Sequence, residues 1–295
     1  MVIKHIVMSG GGPTSLITYG VLKELNEKNF WQLKDIKSIY GCSAGALLGL
    51  ITVLDYNWKW IDDFFIKRPW DNLIDLKPES ILNINYNIGI IDESVMIKII
   101  SPLLEGKGLD KYITMKELYE YTKIKLQIYT CNIESELEKI TITHETFPNL
   151  PVYKAIYMSL TIPGICKPIC DKTGYYVDGG YLCHYPVIEI LKDKTINKDE
   201  ILSLFINSTP LQNINENTTF LTLVFELFNR LQMKANGKKL WGTDLIKNEI
   251  KCSLLNDEGM VNWFNLMNDE TLRKDHIENG RKDAHKFLDR IACKI

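Results

Sequence analysis

The pentapeptide Gly41-Cys42-Ser43-Ala44-Gly45 constrains this chain more than any other feature. The short apolar run Ser38-Ile39-Tyr40 leads straight into it, and the apolar stretch Ala46–Leu54 leaves it. That context reads as strand, sharp turn, buried helix. A serine on such a turn needs small neighbours on both sides, because the backbone there is crowded and strained. It also stands at a helix N-terminus, where the dipole favours developing negative charge. A similar unit precedes it. Ile3, Ile6, Val7 and Met8 form a strand ending in Ser9-Gly10-Gly11-Gly12-Pro13. Ile17, Val21, Leu22 and Leu25 then line one side of a helix. Strand, helix, strand, helix at this spacing predicts an α/β fold with a parallel sheet and right-handed crossovers.

The next segment is aromatic. Three of the six tryptophans fall within Trp58–Trp70, followed by the Asn/Ile-rich Asn83–Ile91 and a helix over Asp92–Leu104. Two uses compete for Trp58–Trp70: helices packing on the sheet, or a cap that touches lipid. Thr114-Met115-Lys116-Glu117 is a capping box that opens a helix. Lys125–Ile133 and Leu137–Thr143 predict a hairpin, and Pro151–Leu160 a helix with proline in its first turn. Tyr175-Tyr176-Val177 is a strand running into Asp178-Gly179-Gly180. A short helix starts near Pro186, and Ile201–Ile206 is a buried strand. After Pro210 the pattern turns helical, with helices expected at Thr218–Ala235, Leu240–Leu255, Met260–Met267 and Gly280–Ile291. The chain therefore divides into a core over 1–210 and a helical C-terminal extension over 211–295.

Composition narrows the function. The 295 residues carry 35 Lys+Arg against 37 Asp+Glu, a net charge of -2, which argues against a nucleic-acid binder driven by bulk positive charge. Seven scattered cysteines include no CxxC pair and no zinc-ligand spacing, so buried reduced thiols are expected, with no metal and no cofactor. The N-terminus lacks the small-residue cleavage site of a signal peptide. The longest apolar run, Ala46–Leu54, is about half of a membrane span. The expected location is cytoplasmic or intracellular. Peripheral contact with a membrane or lipid aggregate and a homo-oligomer stay open.

The glycine triplet has two candidate uses. A phosphate loop requires Gly-x-Gly-x-x-Gly, but position 15 is Ser. The alternative is an oxyanion hole, with bare amides aimed at a tetrahedral intermediate. Neighbouring strands of a parallel sheet end at the same edge, which favours the second use beside Ser43. Asp178 suits a base for Ser43, or simply a turn carboxylate, because Asp-Gly is common in turns. For a Ser-His-Asp triad in the order Ser, acid, His, His276 or His285 could serve; both lie in charged helical sequence where a histidine is usually solvated.

Four motifs in order resemble the patatin-like phospholipases: GGGP at Gly10–Pro13, GCSAG at Gly41–Gly45, MSLTIPG at Met158–Gly164 and VDGGYLCHYPV at Val177–Val187. The resemblance covers about residues 1–210. It implies a three-layer α/β/α fold with a mostly parallel central sheet, and a Ser-Asp dyad without histidine. On that resemblance Ser43 is the nucleophile and Asp178 the base. Gly10, Gly11 and Gly12, with the amide of Ala44, form the oxyanion hole. Gly41, Cys42 and Gly45 shape the nucleophile elbow, and Gly179 and Gly180 complete the DGG motif. The implied activity is metal-independent hydrolysis of fatty-acyl esters, of phospholipase A or lysophospholipase type, through an acyl-enzyme. An acyltransferase or thioesterase using the same serine, and an inactive lipid-binding protein, are the alternatives. The chain departs from the family in two places. Thr14 and Ser15 stand where it often has Arg or Lys after the glycines, and His184 stands where it often has Asn. Outside the motifs, Thr218–Leu231 is apolar on several faces. Arg230, Lys234, Lys238, Lys239, Lys247 and Lys251 follow it, against Asp244 and Glu249. That stretch suits either an anionic lipid surface or burial against the core.

Overall fold

β1 (His5–Met8) and β2 (Ser38–Cys42) pair in parallel, as the repeated strand-loop-helix pattern requires. The computed structural model describes residues 2–73, 89, 91–172, 174–206, 214–216, 218–237, 245–254 and 260–293. β3 (Lys125–Asn132), β4 (Glu138–Ile142), β5 (Ile169–Asp171), β6 (Gly174–Asp178), β7 (Ile201–Ile206) and β8 (Asn248–Cys252) complete one sheet. Its order is β5-β6-β3-β2-β1-β7-β8, with β4 attached to β3 off this path. The pairs among β3, β2, β1, β7 and β8 are parallel; those of β4, β5 and β6 are antiparallel. This is the expected mostly parallel α/β sheet.

Side chains alternate across the sheet, and both faces are covered. Ile6, Met8, Ile39, Leu126, Leu202 and Leu204 join one apolar cluster. Val7, Tyr40, Cys42, Tyr129 and Phe205 join the other. On the first face lie α1 (Leu16–Glu27), α2 (Ala44–Val53), α3 (Trp58–Ile66), α4 (Glu93–Glu105), α5 (Met115–Thr122) and α6 (Val152–Leu160). The second face is covered by the short α7 (Gly180–Cys183) and α8 (Val187–Leu191). Caps fix the helix starts. Thr114 and Glu117 make the reciprocal capping box expected for α5, and Asp92 caps α4 through the amide of Ser94.

The aromatic segment is a packed ladder. Tyr56 stacks on Trp60 at 4.2 Å and Trp60 on Phe64 at 5.7 Å, while Phe64 meets Trp70 edge-on. The Arg68 guanidinium lies over Phe64 and Trp70 and donates to the carbonyls of Ile99 and Lys98. Of the Asn/Ile-rich Asn83–Ile91, only residues 89 and 91 are among those described.

The C-terminal third departs from the sequence reading in one respect. The helix expected over Leu240–Leu255 is instead β8, paired in parallel with β7. Its burial runs buried, buried, buried, exposed, buried, so Ile250 and Cys252 enter the core while Lys251 reaches out. The apolar spacing that suggests a helix belongs to a strand that pairs with β7 alone among the described residues; residues 238–244 lie outside the described set. α9 (Phe220–Asn236), α10 (Met260–Asn268) and α11 (Glu270–Ala292) supply the helices, the last ten residues longer at its start than expected. The boundary drawn at 210 falls among residues not described. α9 carries apolar side chains on more than one face: Phe228 is buried, as are Gln232 and Asn236, while Leu223, Leu227 and Leu231 are exposed. The side chains of Phe220, Leu221 and Phe225 are outside the described set. No described helix is long and apolar enough to cross a membrane.

α11 crosses α1 where two glycines meet. A Cβ on Gly280 would sit 2.0 Å from the Ile17 carbonyl oxygen, and one on Gly20 would sit 2.1 Å from that of Ile277. The contact is backbone against backbone, so neither chain can yield locally. Beside it the buried Glu24 accepts from Arg281 Nε at 2.7 Å and lies 3.0 Å from His285 Nε2. Gly280→Val should force the helices apart and lower unfolding free energy by ~1–3 kcal/mol in urea titration. An unchanged midpoint would refute the close crossing.

Candidate active site

The site forms where two strands meet end to end on one edge of β3. β4 pairs with both Tyr129 and Thr130 of β3 and so occupies one edge. On the other edge β2 pairs up to Cys42↔Tyr129, and β6 pairs from Asp178↔Thr130. Tyr129 and Thr130 are consecutive. The residue after Cys42 therefore arrives beside Asp178, and Ser43 Oγ donates to Asp178 Oδ2 at 2.8 Å. β1 ends next to β2, which brings the glycine loop to the same edge.

The elbow is strained and braced. Ser43 has φ 53° and ψ −127°, a left-handed conformation that L residues rarely adopt. Gly41 and Gly45 allow it by close approach: a Cβ on Gly41 would meet Gly45 O at 2.5 Å, and one on Gly45 would meet Met8 O at 2.6 Å. The Ser43 amide donates to Ser159 Oγ at 2.8 Å, and Ser159 Oγ donates onward to the Tyr129 carbonyl. Thr161 O accepts the Asp178 amide at 2.6 Å, and the Thr130 hydroxyl contacts the carbonyls of Met158 and Val177. The MSLTIPG segment thus ties the Ser43 turn to the strand that carries Asp178. Sequence reasoning quoted this segment without giving Ser159 or Thr161 a part. A serine and a threonine at the end of an apolar helix were the available signal.

Asp178 is 1% exposed. Its Oδ1 accepts the Gly180 amide at 2.6 Å. Burial pushes its carboxyl up to about 7, opposed by the hydrogen bonds from Gly180 and Ser43. Gly179 is required by its fit against the Tyr129 carbonyl, 2.1 Å from a would-be Cβ.

The glycine loop divides its labour. The Gly10 amide donates to the His184 carbonyl at 3.0 Å, so its proton is already used. The amides of Gly11, Gly12 and Ala44 have no acceptor among the described residues, Ala44 being at the first position of α2. Gly12 has φ +54° and opens a short 3-10 turn, Gly12–Ser15. His184 anchors this loop. Its amide contacts Asn236 Oδ1, and Gln232 Nε2 lies 2.8 Å from its Nδ1. Burial pushes its imidazole down to about 4, so it is neutral at pH 7 and Nδ1 accepts from Gln232. The Asn236 amide also donates to Gly180 O, so α9 holds both the DGG turn and the glycine loop.

Neither triad histidine joins this site. His276 is not solvated but buried, with Nδ1 on the Leu272 carbonyl of its own helix; His285 is exposed against Glu24. Among the described residues, Ser43 and Asp178 bond to each other and to no histidine. No three His, Cys, Asp or Glu side chains among them converge as a metal site requires. All seven cysteines are free; Cys42, Cys131, Cys166, Cys183 and Cys252 are buried, while Cys170 and Cys293 are exposed. Burial pushes the Cys42 thiol well up, so it packs beside the serine as an uncharged side chain.

Ser43, Gly12 and Ala44 open onto an apolar cavity of about 240 Å³, continued by Leu48, Phe65 and Met96. The Ser15 hydroxyl, which also lines it, is buried with no hydrogen-bond partner among the described residues.

A family model described as patatin-like phospholipase matches residues 6–191. A probable lipid hydrolase, 463L, of Invertebrate iridescent virus 6 is 26% identical over 222 residues, which is 72% of this chain and 73% of that protein. An uncharacterized protein, R571, of Acanthamoeba polyphaga mimivirus is 26% identical over 185 residues, covering 63% of this chain and 60% of R571. The chain thus spans less than two thirds of R571. The crystal structure of VipD from Legionella pneumophila superposes with a TM-score of 0.55 at 16% identity, over 98% of this chain and 67% of VipD. That likeness is one of fold.

A buried carboxylate whose native pKa lies above the unfolded value binds more protons folded than unfolded, so its contribution to stability falls as pH rises from about 4 to about 7. Asp178→Asn removes that cost. The variant should melt above the parent at pH 8, and the gap should shrink toward pH 5 in thermal scans. A gap that widens on acidification would overturn the raised pKa.

Proposed function

This chain belongs to the patatin-like phospholipase family, and on that premise we propose that it hydrolyses fatty-acyl esters of lipids, of phospholipase A or lysophospholipase type, through a Ser43–Asp178 dyad. The observation that carries the reading is the 2.8 Å hydrogen bond from Ser43 Oγ to Asp178 Oδ2 at the mouth of an apolar cavity.

The proposed steps use the groups at this site. Asp178 takes the Ser43 proton as Oγ forms a bond to the ester carbonyl carbon. The amides of Gly11, Gly12 and Ala44 hold the resulting oxyanion. Gly10 braces the loop through His184. The C–O bond to the alcohol breaks, and the proton on Asp178 passes to the leaving oxygen. The acyl chain remains on Ser43 with its tail in the cavity. Water then gives a proton to Asp178, its oxygen attacks the acyl carbon, the bond to Oγ breaks, and the proton returns to Ser43. A neutral environment around Asp178 suits this work, because a base with a pKa near 7 both accepts and returns a proton at neutral pH.

Ser43→Ala and Asp178→Asn should each lower fatty-acid release from phospholipid vesicles by about a thousandfold or more while the fold persists. His276→Ala should keep near-parent activity if it folds. Because Asp178 must be ionised to accept a proton, kcat/KM should rise with pH through about 7 and level off above it. Product analysis by mass spectrometry on a panel of phospholipids and acyl-CoA checks the substrate class. Release from acyl-CoA alone, or full activity in Asp178→Asn, would overturn the proposal.

A further inference from the structure

The family match ends at residue 191, yet part of the cavity wall lies beyond it. Trp263, Leu266 and Met267, all on α10, and Arg273 on α11 line the same cavity as Ser43. The Trp263 indole lies against Gly12: a Cβ there would be 2.5 Å from its Cζ2. From that point α10 reaches the 3-10 turn Trp70–Leu73, so one helix runs along the cavity from the glycine loop toward Trp70. Leu266 is 1% exposed and closes the wall.

This wall is fixed in place. Arg273 is buried, and its guanidinium donates from Nε and Nη2 to the Ile66 carbonyl. Its Nη1 donates to the carbonyls of Leu266 and Met267. Those carbonyls close α3 and α10, where the negative ends of two helix dipoles would otherwise face each other unsatisfied. One cation thus locks α10 to α3, whose Phe65 lines the same cavity. A rigid apolar wall discriminates between chains by the volume it leaves. A methylene that does not fit costs more than one that is missing.

We infer that α10, through Leu266 and Met267, sets the length of acyl chain that the Ser43 site takes, with Arg273 as the residue that positions it. The inference rests on the reading of Ser43 as the nucleophile. The 295-residue chain is assayed with nitrophenyl esters of butyrate, octanoate, laurate and palmitate, and kcat/KM is compared across the series. Met267→Trp fills the cavity and should cut kcat/KM for laurate and palmitate by about tenfold or more relative to butyrate. Leu266→Ala enlarges it and should shift the optimum toward longer chains. Arg273→Lys loses the forked contacts and should broaden the profile, a change in selectivity that a general loss of stability does not produce. Labelling of Ser43 by a small methyl fluorophosphonate confirms that each variant is folded and competent. If a variant fails to label, the opposite-sense substitution at the same wall, Met267→Ala or Leu266→Phe, decides. An unchanged profile, or equal losses for all esters, overturns the inference. Parent-like turnover in Ser43→Ala instead overturns the reading of the nucleophile and leaves the two failures distinct.

Discussion

The site depends on one register. β3 offers consecutive residues, Tyr129 and Thr130, to two strands that approach its edge from opposite directions. Backbone hydrogen bonds hold strands to within a fraction of an ångström, so the ends of β2 and β6 meet without help from any loop. A slip of one residue would turn Asp178 to the other face of the sheet and separate it from Ser43. The strained elbow and the buried carboxylate are tolerable because the sheet, the Ser159 hydroxyl and the Thr161 carbonyl fix them from three sides.

Much of this was legible in the chain because the relevant chemistry is local. Glycine on either side of Ser43 reports a crowded turn, and the structure finds a carbonyl within 2.6 Å of each would-be Cβ. The first two strands and helices could be read because each apolar run is bounded by glycine or polar residues. What escaped reading is what depends on distant partners. Ser159 looks like any helix-end serine until the amide of Ser43, 116 residues away, is seen to need it. Gly10 reads like its two neighbours, and only the His184 carbonyl separates its task from theirs. β8 does not read as a strand because five residues carry too little periodicity to outweigh their surroundings. The burial of His276 is hidden in the sequence because charged residues flank it while its own ring faces the core.

The C-terminal residues are not an appendage in the structure. β8 extends the sheet, α11 lies against α1 through two glycines, and α9 grips the DGG turn and the glycine loop. The hydrogen bonds around Ser43 come mostly from the early part of the chain, with those of Gln232 and Asn236 added by the late part, which also completes the apolar cavity.

The distribution of thiols has a practical consequence for redox chemistry. The five buried cysteines sit among apolar side chains, where a thiolate is disfavoured and the sulfur is shielded from oxidants and alkylating reagents. Only Cys170 and Cys293 meet solvent. Electrophiles therefore find two handles at the surface, on the edge strand β5 and just past the end of α11, and both can carry a fluorophore or a tether while the serine and its neighbouring sulfur stay untouched.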